Sequence, residues 1–173
     1  MNGSVAEQKS LTTLPDGLDL LWKTVGRIKV GMLTSAGPDG LLAGRPMTTV
    51  EVDRSGWLGF LVAGDGGLAQ GIRRDPRVNL SYSDAGEGVF VSITGRAQIV
   101  RDDAIAKMLW SPVLATWLPG GIDDPRLGLL RVTVGHAEYW TSSSKLEQWL
   151  TVARAALLQT SPREIGEHHT FEF

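Results

Sequence analysis

Strand-length runs of alternating apolar and polar residues, each closed by a turn signal, constrain this chain more than any other feature of its sequence. The most regular is "VFVSITGRAQIV", Val89 to Val100. Period-two patterning belongs to a half-buried strand, because successive side chains point to opposite faces of a sheet. "IKVGMLT" from Ile28, "LLAGRPMTTVEV" from Leu41, "WLGFLVA" from Trp57, "RVNLSYS" from Arg77 and "LGLLRVTVGHAEYW" from Leu127 read the same way. The first five of these six runs are punctuated by "SAGPDG", "DRSG", a glycine loop with a short helix, and "DAGEG", connections suited to antiparallel neighbours. Helical spacing is confined to about Gly17–Val25 behind Asp16, Leu68–Arg74, the acid-led "DDAIAKMLW" and a capped amphipathic "SSSKLEQWLTVARAALLQ". A mainly β fold follows, a small six-stranded antiparallel barrel with peripheral helices rather than alternating βαβ units.

At 173 residues and 42% hydrophobic, the chain suits one domain, read here as residues 16–160 between a flexible arm (1–15) and a polar tail (161–173). A formal net charge of −2 gives no overall pull toward nucleic acid or an anionic membrane. No apolar run reaches the ~18 residues of a membrane span, and the opening lacks the order of a signal peptide, so a cytoplasmic protein is expected. Zero cysteines removes disulfides, thiolate nucleophiles and cysteine-held metals. Of the three histidines, His136 lies in a strand and His168 and His169 in the tail, so no metal site is expected.

Two stretches carry candidate chemistry. "GDGGLAQGIRRDP", Gly64 to Pro76, reads either as a tight chain reversal or as an anion cradle, since glycines let backbone amides approach a ligand and helix N-termini attract phosphate. It is neither G-x-G-x-x-G opening a helix after the first strand nor a P-loop. In "AGRPMTTV", alternation places Arg45, Met47 and Thr49 on one face, and Pro46 removes a ladder donor. Arg45 is either a solvated cation on an edge strand or a forked donor set for a phosphate.

The order of Arg-Pro-Met in a strand, "WLGFLV", "DPRVNLSYSD", "VSITGRAQIVRD", "WLPGGIDDPRLGLLRV" and "AEYW" resembles the pyridoxamine 5′-phosphate oxidase-like FMN-binding split barrels, in their bacterial general stress protein branch. The resemblance covers about Leu20 to Leu150. It implies a homodimer with two FMN sites at the subunit interface. Carried onto this chain, it gives Arg45 the FMN phosphate, the backbone of Pro46, Met47 and Thr48 the isoalloxazine, and Phe60, Leu61 and Val62 the flank of the ribityl chain and ring. Gly66, Gly67 and Leu68 would meet the phosphate, and Trp110, Trp117 and Trp140 would border the flavin unless they serve core or dimer packing.

One position departs from the family pattern. Where members carry Ser-x-Lys at the loop exit, this chain has Gly66, Gly67 and Leu68, so the phosphate would rely on Arg45, loop amides, the helix terminus and either Arg73 or Arg74. Because a flavin brings its own redox chemistry, catalytic side chains are not required, and no hydrolytic triad or paired-acid motif stands out. The resemblance therefore implies either an FMN-dependent oxidoreductase acting on an unknown small molecule or a flavin-binding stress protein without turnover. A deazaflavin or a haem, the latter with His136 as axial ligand, are the other cofactors open to the superfamily.

Overall fold

A computed structural model describes residues 14–37, 39–110, 120–141 and 167–172. The alternating runs form one antiparallel sheet: β1 (Val30–Ala36), β2 (Leu42–Thr48), β3 (Glu51–Asp53), β4 (Trp57–Ala63), β5 (Arg77–Asp84), β6 (Val89–Val100), β7 (Leu127–Thr141) and β8 (Glu167–Glu172). Their spatial order is β2-β1-β5-β6-β7-β4-β3, with β8 added to β7. Among the described residues, three α-helices accompany them, α1 (Leu14–Ile28), α2 (Gly67–Arg74) and α3 (Asp103–Leu109), with a 3-10 turn at Gly121–Asp123. None of the described helices is long and apolar enough to cross a membrane.

The sheet curls because its two end strands are consecutive in the chain. β2 pairs only with β1 and β3 only with β4, yet only Thr49 and Val50 separate them. The Thr49 amide donates to the Lys29 carbonyl (2.8 Å) and the Val50 amide to the Gly59 carbonyl (2.9 Å), so the chain changes partner strand within two residues. The three steps from Thr48 to Glu51 span about 11 Å at most, so opposite ends of the sheet must meet. The run from Leu41 to Val52 is therefore two strands rather than one.

The strand count differs from the expected six for a second reason. The polar tail contributes β8, whose backbone pairs with His136–Thr141 of β7. Its sequence is charge-rich and gives little alternation; Phe171 packs against the core, and the Glu172 carboxylate accepts from His136 Nδ1 at 2.7 Å. β7 can serve three neighbours because its 15 residues meet β4 at one end and β8 at the other, with β6 along the opposite edge. A bulge between Thr94 and Gly95 accommodates this length; a Cβ at Gly95 would collide with the Thr133 carbonyl oxygen, so only glycine fits there.

Inside the barrel, Leu33, Leu58, Phe60, Leu80, Tyr82, Ile93, Leu130 and Val132 are almost wholly buried. On β6 the alternation is realised directly: Val89, Val91, Ile93 and Ala97 are buried while Phe90, Thr94, Arg96 and Gln98 are exposed. α1 begins and ends about three residues beyond the expected span and packs Leu21, Trp22 and Val25 onto this core. α2 adds Ile72, with Leu68 partly buried beside it. The segment from Ser142 read as a capped helix, and Trp117, lie outside the described residues.

Candidate functional site

On β2, Arg45 stands opposite Leu33 of β1 and shares its face with Met47, which packs on the core. Just past the strand, Thr49 is buried and its hydroxyl lies 2.7 Å from the Tyr82 hydroxyl. The Tyr82 ring lies over Gly31, where a Cβ would approach within 2.7 Å of its Cε1. Burial pushes the Tyr82 hydroxyl up to about 12, so it stays protonated and holds Thr49 as a neutral group. Arg45 itself is half-buried, yet it has no hydrogen-bond or ion-pair partner among the described residues. A cation kept partly out of water without a counter-ion is placed to receive an anionic ligand.

The glycine loop ends in a bare helix terminus. The Gly64 amide donates to Arg126 O (2.6 Å) and the Gly66 amide to Ala63 O (3.0 Å), which fixes the turn. Gly66, in extended conformation, is the cap of α2 but offers no side-chain acceptor, and the first turn holds no acidic residue. The first-turn amides have no intrahelical acceptors, and the space where a Gly67 side chain would stand is empty to 4 Å. The Leu68 side chain packs on the core, so a lysine is absent here because the position serves the barrel. Leu68 can reach a phosphate only through its amide. Gln70 Nε2 donates to Asp65 O (3.1 Å) and Arg73 Nη2 to Gly64 O (2.8 Å), bracing the loop from the helix. α2 lies against the end of β1, since a Cβ at Gly71 would come within 3.0 Å of Ala36 O.

β4 splits its residues between two environments. Phe60 and Val62 point into the core, so they can flank a ligand only through backbone. Leu61 points the other way and joins Trp110, Ala63, Ile122, Ala106 and Leu127 in a second apolar cluster. The structure thus brings Leu61 and Trp110 together. Trp140, on β7, stands in register with Phe90 of β6, far along the sheet from the Leu127 end. His136 is paired with Glu172 through Nδ1.

Three features escaped sequence reading. The outward face of β1 and β2 exposes Val30, Met32 and Leu42 at 45% or more of their surface, with Pro46 exposed opposite Met32, and Leu41 is exposed just before β2. Alternation foretold a second face for these strands but not which face would be bare. Buried Asp124 receives three nitrogens of Arg126 at 2.7 to 3.0 Å, and those hydrogen bonds hold its carboxyl well below the usual range. Third, a cleft forms beside Gly64 from residues distant in the sequence, which no local motif could announce.

A mainly antiparallel sheet with few helices is consistent with the split-barrel class. The family model for pyridoxamine 5′-phosphate oxidase-like proteins matches residues 16–163, and the chain belongs to that family. It is similar to the general stress FMN/FAD binding protein of Xanthomonas citri, at 34% identity and a TM-score of 0.63, covering 74% of this chain and 90% of that one. A Clostridium acetobutylicum protein related to general stress protein 26 shares the fold at 18% identity and a TM-score of 0.65, over 90% of this chain and 94% of that one. Protein bli-3 of Neurospora crassa is 27% identical over 124 residues, 66% of this chain and 59% of that protein's length.

Proposed function

We propose that this chain is an FMN-binding general stress-type protein that works in the cytoplasm as a flavin-dependent oxidoreductase on a small molecule. The observation that carries the reading is Arg45, half-buried and without a partner among the described residues, in a chain similar to an FMN/FAD binding protein. Arg45 would hold the phosphate with two N–H donors of its fork, joined by the amides of Gly66, Gly67 and Leu68. The backbone of Pro46 to Thr48 would run along the isoalloxazine, and Leu61 with Trp110 would offer an apolar wall. Bound flavin would supply hydride transfer, while the protein's part is to hold the ring and shield one face from water.

The bare β1–β2 face fits a second copy of the chain. Leu42, Val30 and Met32 are 77%, 51% and 45% exposed, and a patch of such residues on one face is the mark of an interaction surface. A homodimer burying about 2,000 Å² or more would cover it.

The test is a visible spectrum of the freshly purified protein followed by titration of apoprotein with FMN. Flavin absorbance and saturable binding, with a dimer by light scattering, are expected. A colourless protein that fails to bind FMN at high concentration would defeat the reading.

A further inference from the structure

Three arginines from separate elements converge on one cleft. Its volume is about 380 Å³, and Arg73 of α2, Arg101 after β6 and Arg126 before β7 line it together with Asp65. Ile99, Val100, Pro125 and Leu127 supply apolar wall, so the cleft has both the size and the mixed character of a small-ligand site. None of Arg45, Gly66, Gly67 or Leu68 lines it.

Each arginine is oriented by a contact that leaves donors to spare. Arg126 Nε and Nη2 lie on the buried Asp124 carboxylate, at 3.0 and 2.7 Å. Arg101 Nε lies 2.9 Å from Asp103 and its Nη1 3.4 Å from Pro125 O. Arg73 Nη2 donates to Gly64 O. Arg126 Nη1, Arg101 Nη2 and Arg73 Nη1 have no acceptor among the described residues. Asp124 and Asp103 fix two of the forks from behind, and Asp65 is the only carboxylate among the lining residues. The lining therefore carries three guanidinium groups against one lining carboxylate, with two of the three also paired to Asp124 and Asp103 outside the lining.

We propose that this cleft binds a small phosphate monoester bearing a hydroxyl or amine. Planar guanidinium forks match phosphate oxygens, a dianion satisfies more than one of them, and Asp65 accepts from the ligand's hydroxyl or amine. The apolar wall takes the short carbon chain between those ends. The cleft shares none of the contacts proposed above for the flavin, and Arg73, one of the two arginines the resemblance offers the flavin phosphate, is turned here onto Gly64 O.

The test is calorimetric titration of the FMN-saturated protein with glycerol 3-phosphate, with inorganic phosphate and glycerol as comparators. Saturable binding of glycerol 3-phosphate is expected, about tenfold tighter than inorganic phosphate and about tenfold weaker in Arg101→Gln. Asp65→Asn is expected to erode the preference over inorganic phosphate, and Arg101→Gln to leave FMN affinity within twofold. Circular dichroism of Arg101→Gln confirms that a loss is not unfolding, and Arg73→Gln provides a second variant should it unfold. No saturable binding, binding unchanged in the variants, equal binding of inorganic phosphate, or displacement of glycerol 3-phosphate by FMN would each overturn the proposal. If the protein takes up no FMN, the same titration on the flavin-free protein still decides the matter.

Discussion

Helices α2 and α3 are nearly the same length and both follow a strand, yet their N-termini are finished in opposite ways. At α3, the Asp102 carboxylate accepts from the Ile105 amide at 3.0 Å, and Asp103 adds a second negative charge to the first turn. At α2, Gly66 offers the amides nothing, and no acidic residue follows. A helix end normally gains about 1 kcal/mol from a capping side chain. Leaving α2 without one costs stability in the free protein and leaves its amides available to an external anion, which is the property a phosphate cradle needs. In the proposed function, this open helix end and Arg45 of β2 would serve one phosphate.

The largest expected effect comes from giving α2 the cap that α3 has. Gly66→Asp fits the extended backbone there, with its Cβ 3.2 Å from Ala63 O. It should raise the midpoint of chemical denaturation of the apoprotein, by roughly 1 kcal/mol, while lowering FMN affinity about a hundredfold as measured by fluorescence quenching. Stability and binding moving in opposite directions is the signature of a cradle. Equal FMN affinity in this variant would break the comparison.

Arg45→Ala is next, with a loss of about thirtyfold in FMN affinity and little change in denaturation midpoint, since the side chain pairs with no described residue. Asp102→Ala sharpens the contrast from the other end. Removing that cap should cost about 1 kcal/mol of stability and leave flavin titrations unchanged. The smallest effect is expected of Leu68→Lys, which restores the family's charge but withdraws a leucine from the core. Affinity for FMN should rise several-fold while apoprotein stability falls by about 1 kcal/mol, both read from the same titration and melt.

Much of this architecture was legible because burial imposes period two on a chain. The runs at Trp57–Ala63 and Val89–Val100 are strands with the bounds their alternation indicates. β3 and β8 were not legible, for different physical reasons. β3 arises where Thr49 and Val50 exchange one partner strand for another, an event set by hydrogen bonds to Lys29 and Gly59 rather than by side-chain pattern. β8 is held by backbone pairing to β7 with little apolar patterning of its own.

At the site, sequence indicated Arg45 and the glycine loop, because arginine beside glycine and proline interrupts a strand in a way packing does not explain. It could not tell which β4 residues face inward. Phe60 and Val62 are core, and Leu61 alone of the three presents its side chain to the Trp110 cluster. Nor could it show that Leu68 stands where it does to fill the barrel. Leu68 packs against the core, which accounts for the missing lysine in terms of packing; under the proposed function a phosphate would then rely on Arg45 and backbone.

The most direct measurement compares FMN with riboflavin, which has the same ring and ribityl chain but no phosphate, in titrations of wild-type and Arg45→Ala apoprotein. A phosphate held by Arg45 and the open end of α2 predicts that FMN binds about a hundredfold tighter than riboflavin, and that most of this advantage disappears in Arg45→Ala. Riboflavin binding as tightly as FMN would contradict the account.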